Sequence, residues 1–298
     1  MPSAPPLLFD RALHRRRLDR AAPAYADFLK KRAAEDAVFR LEGIMRRFPL
    51  AVDLGARTGA FARALAASDA AEKVDLLIEA DLSRAMLSRE GVRLVADEER
   101  LPFAPQSLDL AVSTLALHWT NDLIGALVQA RLALKPDGLF IGAFLGGATL
   151  TELRQSLLGA EAELLGGASL RVSPFADASD AGALLQRAGF ALPVADVDRV
   201  TVRYAHPVAL LRDLRAMGET NVLIERSRTP LTRRVLGRAL ELYAEQFGEA
   251  DGRVRATFEI ITVTGWAPHE SQQKPLPRGS AKMRLADALG TTEHKLGR

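Results

Sequence analysis

The chain of 298 residues contains no cysteine, which excludes disulfides, thiol nucleophiles, iron–sulfur ligation and cysteine-based zinc sites. Its 40 basic and 37 acidic residues nearly balance, so we expect no nucleic-acid partner. No apolar run reaches the ~20 residues that cross a bilayer, and no secretion signal opens the chain. We therefore expect a cytoplasmic protein with at most peripheral contact with the inner face of a membrane.

Residues 1–47 are predicted to form a helical section, because Ala37, Leu41 and Ile44 recur at helical spacing. We expect this section to cover the mouth of a binding site, which is compatible with an ordinary amphipathic helix packed on a sheet. The basic run from Arg11 to Arg20 is typical of a solvated helix face. The alternative partners for this run are RNA, an acidic protein surface or anionic lipid headgroups.

The first apolar run of the chain ends in an acid and a glycine-bearing turn. It closes at Asp53 and Gly55, and the turn continues to Gly59 before a helix that we expect from about Phe61. Small residues in such a turn let the backbone approach a ligand at the start of the helix. This pattern alone is shared by many unrelated enzymes, so it needs support from the segments that follow.

Two further apolar runs, Val74–Asp81 and Val92–Ala96, also end in acids. In a parallel sheet the carboxyl ends of strands surround the ligand, and a carboxylate on the second strand binds a ribose. We expect Asp81 to accept hydrogen bonds from both ribose hydroxyls and Asp97 to accept one from the adenine amino group. The backbone amide of Glu98 would donate a hydrogen bond to the adenine ring. Each acid alone would more often be an ordinary turn residue. Together with the first turn they predict an S-adenosyl-L-methionine site, which also includes Leu82 and Ser113.

The following segments continue the alternation of strands and helices. Ser107–Ser113 predicts a buried fourth strand, and the loop after it carries His118 and Trp119. Further predicted elements are a helix at Leu123–Leu134, a turn at Lys135–Gly138, a fifth strand at Leu139–Leu145, and helices at Leu150–Leu165 and Ala181–Ala188. This order predicts an α/β fold with helices on both faces of a parallel sheet.

Two late segments alternate polar and apolar residues and could pair as antiparallel strands, Val194–Tyr204 and Thr257–Trp266. Between them, residues 207–250 form an insertion with predicted helices at Val208–Met217 and Thr229–Phe247. We interpret it as a cap over a substrate pocket, with an added structural subdomain as the alternative. The main domain would then span residues 48–270, followed by a basic tail at residues 271–298.

The ordered motifs VDLGxxxG, EADLS, ADEERLPF, LDLAVSTLALHW and LKPDGLFIG resemble those of class I S-adenosylmethionine methyltransferases, including the carrier-protein methyltransferase of biotin synthesis. Other segments resemble the methyltransferase-like assembly factors of respiratory complex I and their bacterial relatives, over about Phe9 to Ser280. These segments are Leu8–Arg11, Phe48–Gly55, Leu117–Leu123, Gly146–Leu150, Ser173–Phe175 and Trp266–Gln272.

The resemblance implies a doubly wound, mostly parallel seven-stranded sheet with an antiparallel last strand and a helical cap. It also implies a protein substrate, a subunit of the respiratory NADH dehydrogenase. Members of the family are associated with hydroxylation of an arginine, although their fold is that of methyl transfer.

One residue departs from the family pattern. Arg57 stands where the family has the second glycine of its cofactor turn. A side chain there should crowd the methionine part of the cofactor, and its charge is unfavourable near a sulfonium unless it turns outward or pairs with the cofactor carboxylate. We expect binding to survive in weakened form, because Gly55, Gly59, Asp81 and Asp97 remain.

His118 and Trp119 are the candidate catalytic residues, as a substrate-side base and an aromatic wall, with simple packing as the alternative. The five histidines show no H-x-D pair, so we predict no metal site. Two other functions stay open: a non-catalytic assembly chaperone with a degraded cofactor site, and a carrier-protein methyltransferase of the biotin type.

Overall fold

The computed structural model describes residues 7–87, 90–177, 180–273, 280 and 283–292. The chain divides into two compact units, Met1–Pro268 and His269–Arg298. The first unit contains the whole sheet, and the second contains one short helix. In the described part of the chain, no helix combines the length and the apolar character needed to cross a membrane.

Seven strands form one sheet in the order β3-β2-β1-β4-β5-β7-β6. All neighbours from β3 to β5 are parallel, whereas β7 runs antiparallel to both β5 and β6. The predicted α/β fold with an antiparallel last strand is therefore confirmed. The strands are β1 (Leu50–Leu54), β2 (Leu76–Asp81), β3 (Val92–Val95), β4 (Leu108–Thr114), β5 (Leu134–Leu145), β6 (Ala191–Tyr204) and β7 (Val254–Trp266).

The helices follow the predicted order with small shifts at their ends. The last long helix begins at Arg233 and not at the predicted Thr229, because Thr232 caps it by accepting a hydrogen bond from Val235 N at 3.2 Å. The described helices are α1 (Arg11–Ala21), α2 (Phe28–Glu42), α3 (Ala60–Ala66), α4 (Leu123–Ala133), α5 (Thr151–Leu165), α6 (Ala181–Arg187), α7 (Pro207–Ala216), α8 (Arg233–Phe247) and α9 (Leu285–Ala288).

The fifth strand begins earlier than predicted. The expected turn at Lys135–Gly138 lies within β5, which starts at Leu134 and pairs there with Leu108. Backbone hydrogen bonds join this stretch to the residue after β7: Asp137 N donates to Ala267 O at 3.1 Å, and Ala267 N donates to Gly138 O at 2.8 Å. The predicted turn is therefore an irregularity inside β5 and not a break before it. The register jumps there from the pair Leu108–Leu134 to the pair Leu110–Leu139, and Asp137 has a φ of 61°.

The prediction that the two late strands pair is confirmed. β6 runs antiparallel to β7 with Val200 opposite Phe258, and β6 forms the edge of the sheet. The alternation seen in the sequence follows from this position, because one face of an edge strand packs on the core while the other meets solvent.

Helices cover both faces of the sheet. Alternate residues of β4 and β5 pack against α2 and α3 on one face, as Val112 and Ile141 show. The same face continues under α5, α7 and α8, with Leu145 and Phe258 in the core. The other face packs on α4 and α6 through Phe140. Helix α2 therefore packs on the sheet face beside β4 and β5.

Candidate functional site

Both predicted glycines in the turn after β1 are explained by the backbone conformation and the close packing of the turn. Gly55 and Gly59 have φ angles of 72° and 78°, a region that favours glycine. A Cβ on Gly55 would collide with the Cβ of Ala116, and one on Gly59 would lie 2.5 Å from Glu79 Oε1. These glycines would be required in this turn whether or not a cofactor binds.

Asp81, the predicted ribose-binding acid, is paired with Arg57. Asp81 Oδ2 accepts hydrogen bonds from the backbone N of Arg57 at 2.8 Å and from its Nη1 at 2.9 Å. Asp81 Oδ1 accepts from Ser83 N at 2.8 Å. Both side chains of the ion pair are fully buried. The acceptors expected for a ribose therefore already have partners within the chain.

The backbone conformation and part of the side chain of Arg57 are energetically unfavourable. Its φ of 54° is unusual for a residue with a side chain, and its Nε and Nη2 have no partner among the described protein atoms. Burial alone would lower the pKa of Arg57, but the nearby Asp81 carboxylate and other acidic groups outweigh it and raise the pKa. Arg57 is therefore a permanently charged residue that the Asp81 carboxylate holds inside the protein.

Asp97 and Glu98, the predicted adenine contacts, are paired with Arg11 of α1. Arg11 Nη2 lies 2.6 Å from Asp97 Oδ1 and also donates to Glu98 Oε2. The Arg11 side chain is only 12% exposed. Burial opposes its charge, but the two carboxylates outweigh that effect and raise the pKa of Arg11. The basic run, which we predicted to be a solvated helix face, thus begins with an arginine whose side chain is mostly removed from solvent.

Lys30 of α2 closes the space beside the first turn. Its Nζ donates to Gly55 O at 2.7 Å, Thr114 O at 2.5 Å and Thr114 Oγ1 at 2.7 Å. These three bonds use every donor of the ammonium group. Burial lowers the pKa of Lys30, and the neighbouring Asp53 is the charge that most favours the ammonium form.

Asp53, at the end of β1, is fully buried, and no described protein atom donates a hydrogen bond to its carboxylate oxygens. Burial raises its pKa, and Lys30 partly opposes this. Ser113 Oγ donates to Leu54 O at 2.9 Å, which joins β4 to β1. Leu82 is half-buried beside Asp81. The cofactor roles assigned to these residues stay predictions.

The chemistry of this cleft can be compared with the needs of an adenosyl cofactor. The ribose, the adenine and the methionine amine each need acceptors, and the strand ends supply candidates for all three. In this structure Asp81 binds Arg57, Asp97 binds Arg11, and the carbonyl of Gly55 binds Lys30. Only the buried carboxylate of Asp53 receives no hydrogen bond from the described protein atoms. The cleft as described therefore does not fit the cofactor.

A second site lies at the carboxyl ends of β4 and β5. It is a cavity of about 620 Å³ with a mainly apolar wall that includes Leu115, Leu145 and Phe258. Residues of α7 and α8 also line it, including Leu214 and Leu236. Its volume falls within the range of ~300–1,000 Å³ that is usual for small-molecule sites.

The predicted catalytic pair lies on the wall of this cavity together with Glu219. Trp119 Nε1 donates to Glu219 Oε2 at 2.8 Å, and His118 Nε2 lies 3.2 Å from the same oxygen. Phe9 packs edge-on against Trp119 with ring centroids 5.3 Å apart. His118 and Trp119 therefore hold a carboxylate in place, while their catalytic roles stay predictions. In the described chain no group of three or more His, Asp or Glu residues is arranged to hold a metal.

Arginines give the cavity a positive rim. Arg17 donates to Thr220 Oγ1 at the wall, and Arg215 and Arg226 also line the cavity. Burial lowers the pKa of Arg17, and the nearby charges of Arg226, Arg20 and Arg215 lower it further. The basic run of α1 therefore lies in three environments, because Arg11 is mostly buried against two acids, Arg17 lines the cavity, and Arg15 and Arg16 are exposed.

Sequence reasoning missed Lys30, Arg11 and Glu219. A signal existed for Lys30, which shares a helical stripe with Ala34, Ala37 and Leu41 and is buried with them. A lysine on an apolar stripe indicates a buried charge that needs acceptors. Glu219 lies just after α7 and has no such local pattern, because its ring partners are about one hundred residues away.

Comparisons with known proteins agree with this architecture. Residues 52–142 match the model of a methyltransferase domain. The chain resembles the arginine-hydroxylase NDUFAF5 of Danio rerio, with 40% identity over 94% of this chain and 89% of the relative. It also resembles the malonyl-[acyl-carrier protein] O-methyltransferase of Halorhodospira halophila, with 34% identity over 92% of this chain and 94% of the relative.

A solved structure supports the fold alone. The YcgJ protein from Bacillus subtilis superposes with a TM-score of 0.52 and 15% identity, over 79% of this chain and 98% of that protein. The sheet order, the methyltransferase domain and the full-length similarity agree with each other. The chain is a methyltransferase-like enzyme that belongs to the NDUFAF5 arginine-hydroxylase family, within the class I S-adenosylmethionine methyltransferase superfamily.

Proposed function

We propose that this protein modifies an arginine side chain of a respiratory NADH dehydrogenase subunit during assembly, and that the arginine enters the cavity beside Glu219. The relatives named as arginine hydroxylases support the reaction, since they align with nearly the whole chain. The subunit as partner follows from the resemblance to complex I assembly factors. The site of action would be cytoplasmic, with at most peripheral contact with the membrane.

The observation that carries this proposal is the carboxylate of Glu219 on the cavity wall. A guanidinium binds a carboxylate through paired, charge-assisted hydrogen bonds and also packs on aromatic faces. The cavity offers both, because Tyr25, Trp119 and Phe175 line it together with Glu219. The bonds from Trp119 and His118 fix the orientation of the carboxylate before the substrate arrives.

The contribution of the chain to this reaction is binding and orientation. Glu219 would neutralise the substrate charge, and the apolar wall would exclude water from the side chain of the arginine. S-adenosyl-L-methionine binding remains a prediction for this chain. It carries no step of the proposed reaction, because its expected acceptors are paired with internal cations.

Mass spectrometry of NADH dehydrogenase subunits from cells without this protein tests the proposal. We expect one subunit to lose a modified arginine, and we expect the wild-type gene to restore it. Glu219→Gln should restore less than about one tenth of the modification, because a neutral amide cannot pair with the guanidinium. Glu225→Gln is the matched control, since Glu225 is exposed and does not line the cavity. Unchanged arginines in the deletion strain would refute the proposal.

The arginine rim favours one second candidate, methylation of an acidic malonyl carrier protein, as in the relatives that are 34% identical. Cations around a cavity mouth attract an acidic partner. Incubation with malonyl-carrier protein and methyl-labelled S-adenosyl-L-methionine tests this function directly. Absence of label on the carrier protein would remove it.

A further inference from the structure

We propose that three cations of the chain, Arg11, Lys30 and Arg57, take the place of an adenosyl cofactor in its cleft, so that any cofactor must displace them. The proposal does not depend on the identity of the substrate. It explains why the strand ends keep the acids of a cofactor site while the cleft itself is closed.

The ribose position carries the strongest evidence. Arg57 reaches Asp81 from the turn itself, so the same residue blocks the turn and satisfies the acid. Both partners are completely buried, and water therefore screens their attraction very little. The strained backbone at Arg57 persists because this ion pair holds it.

The other two positions follow the same pattern on separate helices. Arg11 comes from α1 to the acids after β3, and Lys30 comes from α2 to the carbonyls at the ends of β1 and β4. Lys30 is 2% exposed, and its three donors are all used. The N-terminal helices thus supply two of the three cations, and the cofactor turn supplies the third.

The three cations should weaken the binding of S-adenosyl-L-methionine more than that of S-adenosylhomocysteine. S-adenosyl-L-methionine carries a sulfonium and an ammonium, and both would have to approach Lys30 and Arg57. Like charges repel more strongly in a buried environment than in water. S-adenosylhomocysteine lacks the sulfonium, so we expect it to bind more tightly than S-adenosyl-L-methionine.

Isothermal titration calorimetry of the full-length protein with each compound is the test. We expect wild-type dissociation constants in the millimolar range or weaker for both compounds. Arg57→Gly should strengthen S-adenosylhomocysteine binding by about tenfold or more, because it removes the guanidinium bonded to Asp81 and places glycine at a left-handed backbone position. Arg57→Lys is the matched control and should show no gain, because it retains a cation.

Two outcomes would overturn the proposal. One is micromolar binding of either compound to the wild-type protein, which requires no variant to fold. The other is an Arg57→Gly protein that unfolds cooperatively, as wild type does, yet binds no more tightly than wild type. The mass spectrometric assay of the arginine is independent of both results, so failure of this proposal is distinguishable from failure of the proposed function.

Discussion

The predicted nucleoside cleft and the cavity beside Glu219 lie along the same edge of the sheet, yet their acidic residues have different partners. In the cleft, Asp81 and Asp97 are each bonded to an arginine of the chain. In the cavity, Glu219 is held by two aromatic rings on the wall of about 620 Å³ of space. The two regions meet at Lys30, which binds the carbonyl of Gly55 and also lines the cavity. The contrast shows that one edge of the sheet can hold acids paired with internal cations next to an open volume with a carboxylate on its wall.

The strongest prediction concerns the ion pair that closes the cleft. Asp81→Ala would leave Arg57 as an unpaired buried cation and should lower the free energy of unfolding by about 3–5 kcal/mol. Urea denaturation measures this change. Adding Arg57→Gly to that variant should recover part of the loss, because the unpaired charge is removed.

The matched control for this prediction is Asp75→Ala. Asp75 pairs with Arg47 at the surface, where both side chains are more than half exposed. Such pairs contribute about 0–1 kcal/mol. If Asp81→Ala were no more destabilising than Asp75→Ala, Arg57 would not depend on Asp81, and the contrast between cleft and cavity would fail.

A second prediction separates the role of Gly55 in the fold from a role in cofactor binding. Gly55→Ala should destabilise the protein by about 2–4 kcal/mol, because it adds a left-handed penalty and a collision with Ala116. Gly166→Ala is the control, since Gly166 has a similar φ of 69° but open space around its Cα. It should cost about 1 kcal/mol. Equal losses in thermal melts would mean that the predicted collision is relieved by movement.

A third prediction concerns His14, which is buried between the two sites and packs on Trp119 at a ring distance of 5.1 Å. Burial, followed by the charge of Arg57, lowers its pKa well below the ordinary value of 6.5. Below pH 6.5 the unfolded chain therefore binds a proton that the folded protein excludes, so stability falls as the pH falls. His14 should therefore contribute to the loss of unfolding free energy between pH 7.5 and 5.

His14→Phe keeps a ring against Trp119 and removes the titrating group. Its unfolding free energy should fall less than that of wild type across the same pH range. His269→Phe, at an exposed position, is the control and should follow the wild-type profile. Parallel profiles for wild type and His14→Phe would show that His14 accepts a proton in the folded state, which contradicts the prediction.

The sequence allowed the sheet to be predicted because each strand leaves a local pattern. The pairing of β6 with β7 was predicted from alternation, and the departure at Arg57 was visible as one residue in a familiar turn. The ion pair between Arg57 and Asp81 was not predictable, because the two residues are 24 positions apart and the burial of both depends on the fold. The same holds for Arg11 and Asp97, which are 86 residues apart.

A crystal structure of the wild-type protein grown with millimolar S-adenosylhomocysteine would test the closed cleft without any substitution. We expect Arg57 to remain bonded to Asp81, Lys30 to remain on the carbonyls of Gly55 and Thr114, and no nucleoside to lie between them. A ribose bonded to Asp81, with the guanidinium of Arg57 displaced from the cleft, would contradict the proposed closure.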